Sequence, residues 1–534
     1  MFKKHPKGLL SAALTNMGER FGFYTMMAIL VLFISSKFGL SVTTTGYIYS
    51  VFYCSIYVLA LVGGLIADRT HNYKRTILWG LILMAVGYFI IAIPTPTPVP
   101  SLPLYLSLTC AGLLVIAFGN GLFKGNLQAL VGQMYDKQEY KDHIAEKFGM
   151  DKNGKPKDMR DAGYQLFYMF INIGAFFAPF IAIAIRNWWL KHNGFDYNAQ
   201  LPELCHQFIG NQAAMSTDQM ANLQTYSSQV MLNGSTVTDL TAFSNHYLDV
   251  FNRGFHYAFF ATIIAIFISL VIYLFNKNKF PDPANSGSKS KANVVSKADI
   301  TMAASEIKQR VYALFAVFGV VIFFWFSFHQ NGYSLTYFAR DYINLNIINI
   351  DLGFTSIKGA EIFQSVNPGF VILLTPLVMW FFAALRRRDK EPSTPRKICV
   401  GMGIASLAYI FMLVVSLALP DKSALTGMTA GNLDAMKLTP WVMVGMYFIL
   451  TVAELFISPL GLSFVSKVAP PHLQGLMQGA WLAATAAGNL ILFIGGILYT
   501  SVPLWACWMV FAIACSLSML VMLSMIKWLE RVAK

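Results

Sequence analysis

The 534-residue chain is poor in charged residues and in cysteine. Charged side chains make up 12% of it and hydrophobic ones 56%, whereas about 25% of a soluble globular protein is charged. This composition excludes a soluble protein. The six cysteines form no CxxC pair, and five of them lie in apolar stretches, where a thiol acts as a small hydrophobic group. We therefore expect neither a disulfide framework nor a metal site.

Motifs of membrane enzymes are also missing. The sequence contains no His-Glu-x-x-His metal motif and no Gly-x-Ser-x-Gly nucleophile elbow at a membrane face. We therefore expect no enzyme activity and no cofactor. A receptor that binds a solute without transporting it stays open as an alternative, although the longest segment outside the membrane, residues 187–252, is a polar loop rather than a signalling domain.

Long apolar runs are abundant. A bilayer core about 30 Å thick needs about 18 or more mainly apolar residues per helix. The start of the chain, MFKKHPK, is similar to a signal peptide, but the apolar run after it contains Glu19 and Arg20 and continues too far. We therefore predict an all-α membrane protein with twelve retained helices: 9–38, 45–67, 75–95, 103–134, 161–186, 255–276, 309–339, 361–385, 398–419, 440–465, 475–499 and 503–526.

The 40 Lys and Arg residues are distributed unevenly between the segments that join these helices. With both termini in the cytoplasm, 30 of them lie inside, 8 lie outside, and Arg20 and Lys124 lie in the membrane. Cytoplasmic loops carry an excess of Lys and Arg. The pattern thus predicts a multi-pass protein of the cell (inner) membrane with both termini cytoplasmic. The excess of basic residues in cytoplasmic segments also accounts for the net charge of +14, so we expect the lipid bilayer as a partner and no nucleic acid.

Residues 277–308, rich in Pro, Ser and Lys, divide the twelve helices into two sets of six. We expect an N-terminal bundle over 1–276, with an outside loop at 187–252, a cytoplasmic linker at 277–308 and a C-terminal bundle over 309–534. Two six-helix bundles are the major facilitator fold. The segment 64–75, GLIADRTHNYKR, is similar to that superfamily's GxxxD(R/K)xGxx(R/K) loop without its second glycine; a charged turn between two helices is the alternative.

Four ionisable residues interrupt the apolar runs: Glu19, Arg20, Lys124 and Glu454. Each costs about 2.5 to 3.5 kcal/mol at the centre of a membrane helix, so these groups must face a polar site or one another. Adjacent residues of a helix do not face each other. We therefore expect Arg20 to find its partner on another helix or on a ligand. A static ion-pair lock between helices is the alternative to a binding site.

These residue types predict a site for a zwitterion. Arg20 and Lys124 suit a carboxylate or a phosphate, and Glu454, in the other half of the chain, suits an ammonium group. The amides of Asn172 and Asn367 supply donors and acceptors. Aromatic residues lie on the same set of helices: Tyr24, Tyr57, Trp325 and Trp481. A short peptide carries a carboxylate, an ammonium group and variable apolar side chains, and it would satisfy such a site.

Motifs on six helices resemble those of the proton-coupled oligopeptide transporter family. Residues 16–24, NMGERFGFY, are similar to ExxERFxYY; residues 119–126, GNGLFKGN, are similar to GxGxxKxN; and residues 167–175, FYMFINIGA, match FYxxINxGA. In the second half, FWFSFHQNG at 324–332, FQSVNP at 363–368 and ELFISP at 454–459 follow in order. Over both of its halves, the chain therefore resembles this family.

The resemblance implies uptake of di- and tripeptides by alternating access. The substrate carboxylate would be held by Arg20, Lys124 and Tyr24. The amino terminus would be held by Glu454, Asn172 and Asn367. Aromatic residues would line the side-chain pockets, although core packing is the alternative for each of them: Phe23, Tyr57, Phe318, Trp325 and Trp481.

Two positions depart from the family's pattern. Asn16 stands where the family has the first glutamate of helix 1, and His329 stands where helix 7 carries an acid. Groups that handle the proton are therefore partly missing. One interpretation is that Glu19, Glu454 or His329 carries the proton, since histidine has an ordinary pKa of about 6.5. For His329, a satisfied polar residue at a helix kink is the alternative. The other is a facilitator without proton coupling, for peptides or other zwitterions.

Overall fold

The computed structural model describes residues 5–70, 72–148, 160–281, 304–470 and 473–532. This part of the chain contains eighteen α-helices and one two-stranded hairpin. The helices are α1 Leu9–Phe38, α2 Val42–Thr70, α3 Tyr73–Ala92, α4 Leu102–Asp136, α5 Gln138–Phe148, α6 Arg160–His192, α7 Leu201–Asn211, α8 Thr217–Gln229, α9 Leu240–Asn276, α10 Ala304–Phe328, α11 Ser334–Tyr342, α12 Val366–Arg386, α13 Thr394–Ser416, α14 Ala430–Ala435, α15 Trp441–Val468, α16 Gln474–Leu490, α17 Phe493–Ser501 and α18 Leu504–Val532. The antiparallel strands are β1 Ile350–Asp351 and β2 Ser356–Ile357.

Twelve helical segments of the described residues are long and apolar enough to cross a membrane. They correspond to the twelve expected runs, and the chain is a multi-pass membrane protein. Two of the spans are interrupted. A 3₁₀ turn, His329–Gly332, separates α10 from α11, and residues 491–492 separate α16 from α17.

The spans form two bundles of six, α1–α9 and α10–α18, and the all-α fold predicted from the sequence is confirmed. In the first bundle α1 packs against α6 and α9, and α4 packs against α2 and α3. In the second, α13 packs against α15 and α18, and α10 packs against α16 and α18. The bundles meet where α2 contacts α16 and α17 and where α6 contacts α12. Most of the expected linker at 277–308 lies outside the described residues.

Glycines bring α4 very close to its two neighbours. A Cβ atom on Gly63 of α2 would lie 2.2 Å from the carbonyl oxygen of Gly121, and one on Gly80 of α3 would lie 2.8 Å from that of Gly119. Small residues allow membrane helices to pack backbone against backbone. This packing fixes α4, which carries Lys124, against the rest of its bundle.

One end of the molecule carries a small helical cap, residues 193–239, which contains α7 and α8. We call this end the cap side and the opposite end the linker side. The expected loop at 187–252 is longer than the observed one, because α6 continues to His192 and α9 begins at Leu240. The extension of α9 is stabilised by Phe243, Tyr247 and Phe251, which recur every four residues, are buried and pack ring against ring.

The two bundles are joined on the cap side. Arg186 of α6 and Glu361 of the second bundle form a salt bridge with no exposed surface on either side chain. The hydroxyl of Tyr333 donates to the carbonyl of Val42 at 2.7 Å. The structure is therefore closed at the cap side.

Candidate functional site

Arg20 pairs with its own neighbour on α1. Its Nε lies 2.5 Å from Oε2 of Glu19 and its Nη2 lies 2.7 Å from Oε1. The expectation that Arg20 finds its partner on another helix is wrong, because the long guanidinium side chain curls back although the Cβ atoms of adjacent residues diverge. Asn120 of α4 donates to Oε1 of Glu19 at 2.8 Å. The buried pair is thus internally neutral.

Lys124 of α4 makes no salt bridge to a described carboxylate. Its Nζ lies 4.7 Å from the ring centre of Tyr57 on α2, and both side chains are only partly buried. A cation over an aromatic face gains about 0.5 to 2 kcal/mol. This gain is smaller than the cost of about 2.5 to 3.5 kcal/mol for a charge at the centre of a membrane helix. Lys124 therefore presents a positive charge that a ligand can neutralise.

Glu454 of α15 is the matching anion in the other bundle. Asn367 of α12 donates from Nδ2 to Oε2 of Glu454 at 2.8 Å and to Thr451 at 2.9 Å. No cation among the described residues lies within salt-bridge distance of this carboxylate. Asn367 lies on α12, the helix of the second bundle that packs against α6 of the first bundle. Glu454 therefore faces across the interface between the bundles.

Asn172 of α6 is placed differently from the other residues expected at the amino terminus. Its Nδ2 donates to the carbonyl of Tyr168, one turn earlier in the same helix, at 3.0 Å. Both residues lie on α6, which packs against α12, the helix that carries Asn367. The structure joins Glu454 to Asn367 directly, whereas Asn172 stands on the opposite bundle near the same carboxylate.

Four of the five aromatic residues expected in side-chain pockets are buried, and Tyr57 is the partly exposed one. Phe318 and Trp481 meet edge to face with their ring centres 6.2 Å apart. The indole of Trp481 lies against Gly461, where a Cβ atom would come within 2.0 Å of the ring. Phe23 packs edge to face on Tyr24 at 5.5 Å and beneath the guanidinium of Arg20 at 4.6 Å.

His329 begins the 3₁₀ turn that interrupts its span. Its Nδ1 lies 2.5 Å from Oδ1 of Asn489 on α16, and its ring stacks on Trp325 at 4.9 Å. Tyr53 of the first bundle lies 4.6 Å from the same ring. Sequence reasoning missed Asn489, Asn120 and Tyr53. Asn489 and Asn120 are polar residues within apolar runs. The same feature of the sequence identified Lys124, and it could have identified these two amides.

Comparison with known proteins places this chain among transporters. A family model described as the POT family matches residues 74–298 and 285–502. The peptide transporter YePEPT of Yersinia enterocolitica subsp. palearctica is 27% identical over 515 residues, covering 93% of this chain and 88% of the relative. Dipeptide and tripeptide permease B of Xenorhabdus bovienii is 25% identical and covers 91% and 86%.

Solved structures share the fold. The crystal structure of peptide transporter POT in complex with sulfate superposes with a TM-score of 0.68 at 23% identity, covering 99% of this chain and 96% of that one. A POT family transporter in complex with 5-aminolevulinic acid gives a TM-score of 0.67 at 21% identity, with coverage of 99% and 97%. These likenesses establish the architecture of the two bundles.

Proposed function

Because the chain belongs to the POT family, and is a transporter rather than an enzyme, we propose that it takes up di- and tripeptides by alternating access. One observation carries the proposal. Lys124 and Glu454 have opposite charges, stand on different bundles and make no salt bridge to described residues. A zwitterion placed between them neutralises both charges. The names of the relatives, peptide transporter and dipeptide and tripeptide permease, support a peptide as that zwitterion.

The substrate carboxylate binds first of all to Lys124. Arg20 contributes as a second donor, since Glu19 occupies two of its N–H groups and a guanidinium has five. The hydroxyl of Tyr24 completes this end of the site. Arg20 is only 4% exposed, and therefore we expect Lys124 to dominate the contact.

The substrate ammonium binds to Glu454. Asn367 holds that carboxylate in place through its hydrogen bond, and Asn172 offers an amide oxygen from the opposite bundle. The side chains of the peptide enter spaces between aromatic rings: Phe23, Tyr57, Phe318, Trp325 and Trp481. Aromatic walls accept many apolar groups without a fixed hydrogen-bonding pattern, which suits a site for peptides of varied sequence.

Transport follows from the two-bundle architecture. In the orientation that the basic residues favour, the cap side faces the outside of the cell membrane and both termini are cytoplasmic. The observed closure at the cap side then corresponds to a transporter closed to the outside. A peptide that contacts Lys124 and Glu454 together binds best when the bundles are close, and such differential binding shifts the conformational equilibrium.

We propose that uptake is coupled to protons, with Glu454, His329 and Glu19 as candidates. The pairing of Glu19 with Arg20 leaves Glu454 and His329 as the candidates in contact with the substrate path. A facilitator is the second candidate function, and one observation favours it: an amide, Asn16, occupies the place of the family's first acid beside this pair.

The decisive experiment is uptake of a labelled dipeptide into proteoliposomes that contain the purified protein. We expect saturable uptake that competes with unlabelled di- and tripeptides and not with free amino acids. An inside-alkaline pH gradient should stimulate accumulation. Equal uptake with and without the gradient would establish the facilitator, whereas peptide binding without any flux would establish a receptor.

A further inference from the structure

Two interrupted spans of the second bundle meet at the same depth. The break between α10 and α11 contains His329 and Gln330, and the break between α16 and α17 follows Asn489 and Leu490. Gln330 donates from Nε2 to the carbonyl of Leu492 at 3.2 Å. Irregular backbone within a membrane occurs where it is buried in protein or lines a polar site. The two breaks therefore mark a place where polar groups are required.

At this place the side chain of Asn489 contacts one ring nitrogen of His329. An amide oxygen only accepts hydrogen bonds, so with the Asn489 amide oriented to place Oδ1 at 2.5 Å from Nδ1, the contact is a hydrogen bond when Nδ1 carries the proton. Asn489 has no exposed surface, and its own Nδ2 has no partner among the described residues.

The remaining surroundings leave the second ring nitrogen available. The ring lies between Trp325 of its own span and Tyr53 of the opposite bundle. No described carboxylate bonds to His329. Its Nε2 makes no hydrogen bond to a described residue, and His329 keeps 5% of its surface exposed. In the neutral ring this nitrogen is an acceptor at the interface between the bundles.

We propose that Asn489 is a positioning residue that holds the proton of His329 on Nδ1 and so presents Nε2 as an acceptor to an N–H group of the substrate. The second half of this statement rests on the proposed function, and the first half does not. For a peptide substrate, the available donors are the peptide N–H and the ammonium group. Asn489 touches His329 and acts through it.

The tautomer can be measured without any substrate. ¹⁵N-histidine labelling of the full chain in lipid, with His329→Gln to identify the signals of this one ring among nine histidines, reports which nitrogen is protonated. We expect the proton on Nδ1 in the unmodified protein and a mixture of tautomers in Asn489→Leu. A proton on Nε2 in the unmodified protein, or an unchanged spectrum in Asn489→Leu, would overturn the proposal.

Substrate binding tests the second half. A neutral hydrogen bond contributes a factor of about 2 to 13 in affinity, so Asn489→Leu should weaken dipeptide binding by that factor. In a protein that already carries His329→Gln, the same substitution should leave dipeptide affinity unchanged. Asn489→Asp, which keeps the shape, places a carboxylate on the ring and favours its protonated form; the pH profile of binding should gain a step. Additive losses in the double variant would refute the coupling, and absence of peptide binding in every variant would instead refute the proposed function.

A separate set of contacts concerns the cap, residues 193–239. The cap belongs to the first bundle. His206 contacts the carbonyl of Ser36 at the end of α1 through Nε2 at 2.5 Å, and the ring of Tyr197 lies 4.0 Å from the guanidinium of Arg186. Phe195 packs edge to face on Tyr247 of α9.

The same cap is bound to the second bundle at several points. Glu203 of α7 lies 3.1 Å from Nη2 of Arg340 and 3.7 Å from Nζ of Lys422. Two hydrogen bonds reach carbonyls of the segment before α15: Ser216 donates to Thr426 at 2.9 Å and Asn222 donates to Met428 at 2.7 Å. Asp196 and Lys358 lie 3.6 Å apart. A cleft of about 970 Å³ under the cap is lined by Glu203, His206 and Arg340.

From these contacts we infer that the cap is a latch that stabilises closure of the cap side. It is carried by one bundle and bound to the other, so the bundles cannot separate at this end unless its contacts to Arg340, Lys422, Thr426 and Met428 break. An exposed ion pair contributes a factor of about 1.4 to 5 and a hydrogen bond a factor of about 2 to 13. Together they bias the equilibrium between closed and open states.

A distance measurement between the bundles tests the latch without substrate. Spin labels at Ser41 and Ser501, exposed residues at the cap side of opposite bundles, report opening after the two partly exposed thiols, Cys54 and Cys110, are replaced by Ser. The variant Glu203→Gln with Asn222→Leu should raise the open-to-closed ratio about fivefold or more. Asp218→Asn on α8, which makes no described salt bridge, is the control. An unchanged ratio would overturn the latch.

A covalent version of the contact gives an independent answer. Cysteines at Ser216 and Thr426, exposed residues of the cap and of the second bundle that are joined by a hydrogen bond from Oγ of Ser216 to the carbonyl of Thr426 at 2.9 Å, can be joined by a short thiol-reactive crosslinker. With the labels at Ser41 and Ser501 carried on genetically encoded side chains other than cysteine, the crosslinked protein should keep the labelled distance at its closed value. Each single-cysteine variant is the control for the substitution itself. If the crosslinked protein still populates the open distance, the cap does not have to separate from the second bundle and the inference is wrong.

Discussion

Arg186 and Glu361 form a salt bridge that connects the two bundles and has no solvent-exposed surface on either side chain. Asn187, the next residue of α6, donates to the carbonyl of Lys358 at 3.0 Å, so the same turn is held twice. Opening of the cap side separates these charges and exposes both to water. The pair is therefore a conformational contact as well as a structural one.

Loss of this pair should destabilise the closed state. Removing one partner of a buried ion pair typically costs about 3 to 5 kcal/mol, because the other charge stays buried alone. We expect Glu361→Gln to lower the melting temperature of the detergent-solubilised protein and to increase the accessibility of cap-side positions. Glu306→Gln is the matched control, since its pair with Arg310 is partly exposed and lies within one helix. Equal melting temperatures for the two variants would contradict the prediction.

The carboxylate end of the substrate should depend on Lys124. A hydrogen bond to a charged group contributes about 1.5 to 3 kcal/mol, a factor of about 13 to 160 in affinity. We expect Lys124→Gln to lose that factor for free dipeptides and to bind C-terminally amidated dipeptides as the unmodified protein does. Isothermal titration with both ligands measures the difference. Equal affinity of the unmodified protein for amidated and free dipeptides would exclude this assignment.

The ammonium end should depend on Glu454. The variant Glu454→Gln keeps the shape and its hydrogen bond to Asn367 but removes the charge. We expect it to lose the preference for free over N-acetylated dipeptides, with binding to the acetylated form nearly unchanged. Competition against a labelled dipeptide measures the ratio of the two affinities. If that ratio is the same in the variant and the unmodified protein, Glu454 does not pair with the ammonium.

The pH dependence of uptake should show whether His329 or one of the two glutamates carries the coupled proton. We expect His329→Gln to flatten the pH dependence of dipeptide uptake and to leave exchange across a membrane with equal pH on both sides largely intact. Uptake assays in proteoliposomes with imposed gradients measure both. A gradient effect that survives in His329→Gln would assign the proton to Glu454 or Glu19, and Glu454→Gln would then distinguish those two.

The cap contact should be insensitive to pH near neutrality. The ammonium of Lys422, with Arg340, holds the pKa of Glu203 below its usual value. A group with a lowered pKa contributes stability above its unperturbed pKa, about 4.3 for glutamate, and this contribution is lost only as the pH falls through the lowered value. The side chain is 43% exposed, so the effect is small. Spin-label distances between pH 5 and 8 should therefore not change on account of Glu203.

The membrane helices could be predicted from the sequence because a bilayer imposes its own length and polarity on every span. The unpaired charges could be found in the same way, since Lys124 and Glu454 stand out in apolar runs. The partner of Arg20 could not. The rule that neighbours on a helix do not face each other describes Cβ directions, and it fails for a side chain long enough to reach back over its own helix to Glu19.

Contacts between distant segments are the part that the sequence conceals. Asn222 and Met428 are 206 residues apart, and nothing local to either marks the other as its partner. The polar composition of 187–252 indicated a loop, although the repeat of Phe243, Tyr247 and Phe251 is a helical period that extends α9 into it. In the structure, α10 ends in a 3₁₀ turn at His329. The partner of His329, Asn489, could not be predicted because it lies on a helix in which no family motif was found.

The glycine contacts of α4 determine which part of the site can change its dimensions. Since Gly121 and Gly119 seat α4 on the backbones of α2 and α3, Lys124 keeps a constant separation from Tyr57 while the bundles rock. The variable separation is the one to Glu454. An extended peptide gains about 3.3 to 3.6 Å per residue. We therefore expect a larger separation between Lys124 and Glu454 with a tripeptide bound than with a dipeptide bound. We therefore expect the angle between the two bundles to depend on substrate length, and the longest peptide accepted to be the longest one around which the bundles can still close.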